Sequence, residues 1–233
     1  MISVVALTNN DEDIIADFIA NCPFANEIIV LDSHSNDATI QIAKSKNALV
    51  FAGDFMDFEG VKPFALSKAS HPWVLCLQPT ERILEALSNE IIDIVDSNSN
   101  GNYAIKSKLS FMGRVLKHAD STHILKDRLI HVGDTSTKTK TLKNAIITDY
   151  ISFDRFNATL TKQAKNEANT LAQKNLRPNL YHFLLKPFGS LMKHYVFKLG
   201  FLDGKEGFIY SYLQAFKVFK RYLYLWLHYR NLR

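Results

Sequence analysis

The chain has 233 residues, a formal net charge of +5, 47% hydrophobic and 22% charged residues, and two cysteines. That balance excludes a disordered chain and a disulfide scaffold, and it suffices for one substantial core or one domain with an appendage. No apolar run approaches the ~20 residues of a membrane-spanning helix, and Cys22 and Cys76 stand at no metal-binding spacing, which suggests a reducing compartment.

The opening MISVVALTNNDED lacks the basic region and long apolar core of a secretory signal, so a cytoplasmic location is expected. Ile2–Leu7 is an apolar, β-branched run and reads as a first strand. It stops at Thr8-Asn9-Asn10, and Asp11-Glu12-Asp13 place acids in the first turn of a helix reaching about Ala20. Ile28, Ile29, Val30 and Leu31 then form a strand buried on both faces. That strand ends on Asp32; small polar residues follow, and Thr39 opens an amphipathic helix to about Ser45, with Asp37 a candidate N-cap. A carboxylate so placed stands at the C-terminal edge of a parallel sheet, where open α/β sheets bind ligands. Asp32 is therefore read as a ligand contact.

A third strand is expected at Ala48–Ala52, a helix at Val61–Ser70, a fourth strand at Trp73–Leu77, a helix at Ile83–Val95 and a strand at Tyr103–Lys108. This alternation predicts an α/β domain over residues 1–150, a mostly parallel sheet flanked by helices. There is no G-x-G-x-x-G after the first strand and no G-x-x-x-x-G-K-[ST], which argues against a dinucleotide-binding domain and a P-loop. Phosphate would have to be held by side chains or by a metal.

Residues 151–233 are expected to form a helical, basic and aromatic extension packed on that domain. Arg155–Gln173 is helix-compatible and ends before Arg177-Pro178. Leu180–Leu199 is apolar but interrupted by Pro187 and Gly189, and Gly200, Gly204 and Gly207 punctuate the next turn. The last helix, from about Phe208, carries Phe208, Tyr212, Phe216, Phe219, Leu223 and Trp226 at three- and four-residue steps. From Gly207 onward there are five cations (Lys217, Lys220, Arg221, Arg230, Arg233) and no acid. Such a helix fits an anionic membrane surface; it equally fits a helix packed on the core with solvated lysines. Nucleic acid would accept the same stripe but leaves the Asp32 loop without a role, so no nucleic-acid partner is expected.

Taken in order, ALTNNDEDI, EIIVLDSHSNDATIQIA and KPFALSKASHPWVLCL resemble the family-2 glycosyltransferases with the A-type nucleotide-sugar fold. The likeness is greatest to the branch that adds sugars to the lipopolysaccharide inner core, the core β-1,4-glucosyltransferases. PFGSLMKHYVFKLGFLDGKEGFIYSYLQAFKVFKRY is similar to that branch's C-terminal block. The resemblance implies that Thr8 and Glu12 line a base pocket, that Asp32 contacts base or ribose, and that Lys62 lies near base and diphosphate. Arg128, in HILKDRL, matches the arginine of an R-L-F turn. The implied reaction moves a sugar, with inversion, from a nucleotide-sugar (a UDP-sugar is favoured) to a glycolipid acceptor. It would serve lipopolysaccharide core or other cell-envelope glycan synthesis, with the protein peripheral on the inner face of the cytoplasmic membrane.

The chain departs from that pattern at three places. The family's D-x-D, which holds Mg²⁺ or Mn²⁺, is replaced by Gln78-Pro79-Thr80, so Gln78 and Thr80 offer neutral oxygens to the donor and Glu81 alone keeps a charge. No metal ligands are therefore assigned, and dependence on Mg²⁺ or Mn²⁺ is not expected. The family's His-Glu is missing from DTSTKTKTLKNAIITDYIS, and Asp149-Tyr150 stands where the family has His-Tyr. Candidates for the base are Asp149, Asp134, Asp127 and Glu81, while Lys62 and Arg128 would carry the diphosphate charge. Loss of both metal carboxylates also fits a catalytically retired relative that acts as a binding or partner subunit. Donor sugar, acceptor and oligomeric state carry no signature of their own.

Overall fold

The computed structural model describes residues 1–55, 58–97, 101–120, 122–134, 139–150 and 152–232. Three features of the sequence reading lie outside the described residues: 135–138 of the DTSTKTK segment, the boundary residue Ile151, and Arg233. The chain forms two compact units, one of residues 1–107 with 122–148 and one of 108–121 with 149–233.

In the first unit the elements alternate as expected: β1 (Ile2–Thr8), α1 (Ile15–Ala20), β2 (Glu27–Asp32), α2 (Thr39–Ser45), β3 (Leu49–Ala52), α3 (Phe58–Lys68) and β4 (Trp73–Leu77). After them come β5 (Glu81–Arg82), α4 (Glu85–Asp96), β6 (Asn102–Phe111), β7 (Arg114–Val115), β8 (His123–His131) and β9 (Thr139–Tyr150), of which β7 and the last residues of β6 and β9 belong to the second unit. Among the described residues the strands follow the order β3-β2-β1-β4-β8-β6-β9-β5, with β7 paired to β6. The first four strands are parallel, in a register that sets Thr8 beside Asp32. Beyond β4 the pairing is antiparallel. The continuous apolar runs explain the parallel half, because helices cover both faces: all five residues of β4 are buried. Along β1, Val4 and Ala6 join one core cluster with Phe18, Leu75 and Leu87, while Val5 joins the other with Ile29, Leu31 and Val61. Burial pushes the Cys76 thiol up to about 11 and the Cys22 thiol to about 12, so both are inert core residues.

Four strands go beyond the sequence reading, the two-residue β5 and β7 and the longer β8 and β9. His123–His131 was expected to include a turn at Arg128, yet it is strand β8, and Thr139–Tyr150 is strand β9. Both carry many polar side chains and bury few residues in their N-terminal halves, so no apolar alternation marks them. The acids expected in the first turn of α1 also sit ahead of it. Asp11 accepts instead through its carbonyl from Ile14 and Ile15, and its carboxylate takes the Asn9 N–H at 2.9 Å.

The second unit is built on α5 (Phe153–Gln173), α6 (Leu180–Met192) and α7 (Gly204–Tyr229). A π-helical turn at Lys193–Phe197 and a 3₁₀ turn at Gly200–Asp203 connect the last two. Helix α6 continues through Pro187, where the sequence suggested an interruption. Helix α7 starts four residues earlier than expected and buries Tyr210, Leu213, Val218, Tyr222 and Leu225. Phe156 and Leu160 of α5 cluster with Tyr210 and Leu213, and Ala168 with Val218, Tyr222 and Leu225. Lys217, Lys220 and Arg221, read as a lipid-facing flank, are turned onto α5. Lys220 donates to Asn157 Oδ1 at 2.6 Å and Thr161 Oγ1 at 2.9 Å, and Arg221 pairs with Glu167 at 2.9 Å. No helix among the described residues is long and apolar enough to cross a membrane.

The G-F-L-D-G block acquires a structural reason here. A Cβ on Gly207 would stand 2.1 Å from the Gly200 carbonyl oxygen, so only glycine lets the 3₁₀ turn close on α7. Asp203 then accepts three backbone N–H groups, from Lys117 (3.0 Å), His118 (2.8 Å) and Ala119 (2.7 Å).

Candidate functional site

Two groups of residues gather near the C-terminal ends of the parallel strands. The first is the loop pair after β1 and β2. Asp32 is fully buried; its Oδ1 accepts from Thr8 Oγ1 at 2.8 Å and Ser35 Oγ at 2.6 Å, and its Oδ2 from the Ser35 N–H at 2.8 Å. Glu12 Oε2 accepts the Ala38 N–H at 2.8 Å, ahead of α2. Asp37, the expected cap, takes the Thr39 N–H at 3.0 Å and the Glu12 N–H at 3.1 Å. These carboxylates thus tie the two loops to themselves and to each other. Asp32, read as a ligand contact, has three of its roughly four acceptor positions filled from within the chain. Asn9, Asn10, Glu12, Asp13, His34 and Asn36 are the exposed residues of these loops. Asp32→Ala should therefore cost about 3 kcal/mol in urea-unfolding stability, since it strands buried donors. A loss below about 1 kcal/mol would mean that the loops are held by other contacts.

The second group surrounds a cavity of about 260 Å³ formed by α3, β4 and β8. Phe58, Glu59, Lys62, Lys126, Asp127 and Arg128 all line it. Lys62 Nζ donates to Asp127 Oδ2 at 3.0 Å, and this hydrogen bond holds the Asp127 carboxyl below the usual carboxylate range. Arg128 meets Glu81 in a fork, Nη1 to Oε2 and Nη2 to Oε1, each at 3.2 Å. Nη1 also donates to the Cys76 carbonyl at 2.9 Å, and the guanidinium lies 4.7 Å from the centre of the Phe58 ring. Glu81 is 3% exposed and takes the Gln78 N–H at 2.8 Å as well. Burial pushes its carboxyl up, and the Arg128 charge works against that push. The result is a cationic wall, two of whose charges are already neutralised by carboxylates beside or behind them.

Of the sequence-derived candidates, Lys62 and Arg128 share this cavity, with Glu81 behind Arg128. Thr8, Glu12 and Asp32 share the β1–β2 edge. Gln78 is exposed and Thr80 half-buried in the turn that leads from β4 to Glu81. Asp134 follows β8, its N–H bonded to the His131 carbonyl at 3.1 Å. Asp149 belongs to the second unit, and its Oδ1 is buried with no hydrogen-bond partner among the described residues. Asp127, committed to Lys62, is a weak base. Lys126 and Phe58 went unremarked in the sequence; a strand at 123–131 would have put Lys126 and Arg128 on one face.

A divalent ion such as Mg²⁺ wants several oxygen ligands, preferably charged. The turn after β4 offers a single carboxylate, Glu81, and both its oxygens face Arg128. Gln78 and Thr80 add only neutral oxygens. These residues do not fit a divalent ion, and no group of three or more His, Cys, Asp or Glu able to hold one occurs among the described residues.

No family model matches the chain. It is 35% identical over 115 residues to an uncharacterized glycosyltransferase of Rickettsia typhi, a match covering 48% of this chain and 39% of that one. An uncharacterized glycosyltransferase of Rickettsia conorii is 33% identical over 115 residues, covering 48% and 41%. The chain therefore spans about two fifths of the length of the curated relatives it matches. Among solved structures, glucosyl-3-phosphoglycerate synthase from Mycobacterium tuberculosis, with Mn²⁺, uridine diphosphate and glucosyl-3-phosphoglycerate, aligns at 22% identity and a TM-score of 0.38, covering 47% of this chain and 44% of that one. Mannosyl-3-phosphoglycerate synthase from Rubrobacter xylanophilus aligns at 22% identity and a TM-score of 0.39, covering 47% and 40%. Over about half its length, then, this chain is similar to glycosyltransferases.

Proposed function

We propose that the protein is a glycosyltransferase that moves a sugar from a nucleotide-sugar, a UDP-sugar first among them, to a glycolipid acceptor at an anionic membrane surface. Lipopolysaccharide core or another cell-envelope glycan is the pathway the sequence resemblance favours. The observation that carries the reading is the cavity beside β4, where Lys62, Lys126 and Arg128 converge over the floor made by Cys76. Similarity to the rickettsial glycosyltransferases supports it.

In this reading the acceptor hydroxyl loses its proton to a carboxylate, for which the sequence offers Asp149 and Asp134. The new bond joins the acceptor oxygen to the anomeric carbon, with inversion. The bond from that carbon to the diphosphate breaks, and its electron pair leaves with the nucleoside diphosphate. Lys62 can exchange Asp127 for a phosphate oxygen, and Arg128 adds the field of a guanidinium held in place by Glu81.

Calorimetric titration of UDP in EDTA and in excess Mn²⁺ tests this. UDP should bind alike in both, and Lys62→Ala should weaken binding by ~1.5–3 kcal/mol, the range for a charged hydrogen bond. A tenfold or larger gain with Mn²⁺ would overturn the metal-free reading. Failure of every nucleotide to bind would overturn the transferase reading. Nucleotide binding with no turnover would favour the retired relative acting as a partner subunit, which the engagement of Glu81 by Arg128 also suits.

A further inference from the structure

Helix α6 has 13 residues and none of them is buried. From 174 to 202 the chain carries five cations (Lys174, Arg177, Lys186, Lys193, Lys198) and no acid. Large apolar side chains point outward along this stretch: Leu180 is 77% exposed, Leu184 67% and Phe197 80%, and Leu185, Phe188, Phe201 and Leu202 are also exposed. Leu180, Leu184 and Phe188 are four residues apart, with Tyr181 and Leu185 next to them, so they form one stripe along the helix. Beside the stripe lies a groove of about 570 Å³ between α6 and α7, with Tyr181 and Leu185 among its lining residues.

Charge says what suits this face. The groove is lined by Lys186, Lys193, Lys217 and Arg221 against a single acid, Glu167. Glu167 is already engaged by Lys217 at 3.4 Å and Arg221 at 2.9 Å. Lys186 and Lys193 have no ion-pair partner among the described residues, and Lys186 lies 5.5 Å from the Tyr181 ring centre. A second copy of the chain laid on this face would bring cation against cation. A surface of lipid phosphates over acyl chains would satisfy both the charge and the apolar stripe.

We propose that α6 and the turns through Asp203 dock flat on an anionic phospholipid surface, with Leu184, Phe188 and Phe197 entering the acyl boundary and Lys186 and Lys193 receiving lipid phosphates. This assigns membrane contact to the segment before α7 rather than to the cations of α7, which face α5. It names the surface on which the proposed glycolipid acceptor would be met and in that sense rests on the transferase reading, but binding to lipid is measured separately.

The experiment is co-sedimentation of the full chain with vesicles of phosphatidylcholine alone or mixed with phosphatidylglycerol, at low and high salt. Binding should require phosphatidylglycerol and weaken with salt. Leu184→Ser with Phe188→Ser should lower it tenfold or more. Lys186→Ala with Lys193→Ala should lower it about fivefold per lysine, from ~1 kcal/mol for each cation near the surface. These side chains lie outside the buried core, so unchanged melting curves would separate lost docking from lost fold. Equal vesicle binding by both double variants and the parent would overturn the proposal. So would a lipid-free dimer of the parent that Leu184→Ser with Phe188→Ser dissociates, because a second copy would then be the occupant. Vesicle binding that persists while no nucleotide binds would leave the docking face standing and remove only the transferase reading.

Discussion

Arg128→Ala is expected to destabilise the protein by about 3–5 kcal/mol, the cost of leaving a buried carboxylate without its partner. Arg128 joins three elements, through the fork to Glu81, the bond to the Cys76 carbonyl and the stack on Phe58. Against a total of roughly 5–15 kcal/mol for a domain, such a loss would bring the chain near unfolding at ordinary temperature. The double variant Arg128→Ala with Glu81→Ala should recover part of it, since no unpaired charge then remains. The deficit of Arg128→Ala should also shrink as the pH falls. Burial raises the Glu81 carboxyl in the folded state, and without Arg128 only the Gln78 N–H opposes that rise, so the folded form binds the proton more readily than the unfolded form. Stability of the single variant therefore climbs from neutral pH toward the unfolded glutamate value of about 4.3. Urea unfolding at several pH values measures it; a pH-independent deficit, or no recovery in the double variant, would show that the pair is not the source.

Asp203→Ala carries the second large effect, about 3 kcal/mol, read from the same unfolding curves. Its carboxylate is the acceptor for three consecutive N–H groups, those of Lys117, His118 and Ala119, and it is 2% exposed. Removing it leaves those donors facing a methyl group. Burial works against the charged form, yet the three donors prevail and hold the carboxyl below its usual range. A depressed folded value means that this stabilisation is fully present above the unfolded value of about 3.9 and is lost as the pH falls below it. Parent and variant should accordingly converge in strongly acidic solution. Curves that stay parallel there would assign the effect to packing around Gly207 instead of to the charge.

The parallel half of the sheet was legible because β1, β2 and β4 are buried on both faces and so are written as unbroken apolar runs, a pattern that needs no knowledge of the partner strand. The antiparallel half was not. Strands β8 and β9 carry Lys, Asp, Asn and Thr on sides that face water, and their pairing partners lie far away in sequence. The site divided along the same line. Lys62 and Arg128 were named together as diphosphate ligands, and they do line one cavity. Their carboxylate partners were invisible, since Asp127 stands 65 residues from Lys62 and Glu81 stands 47 from Arg128.

By itself the sequence determined the α/β class, the position of Asp32 at a strand end and the reduced charge of Gln78-Pro79-Thr80. Each follows from local chemistry, either apolar periodicity or the identity of a side chain. Tertiary structure alone decided that Asp32 is enclosed by Thr8 and Ser35, that Glu81 belongs to Arg128, and that the cations of α7 belong to α5. The availability of a charge depends on which distant groups the fold brings within hydrogen-bond reach, and burial then fixes how strongly it is held.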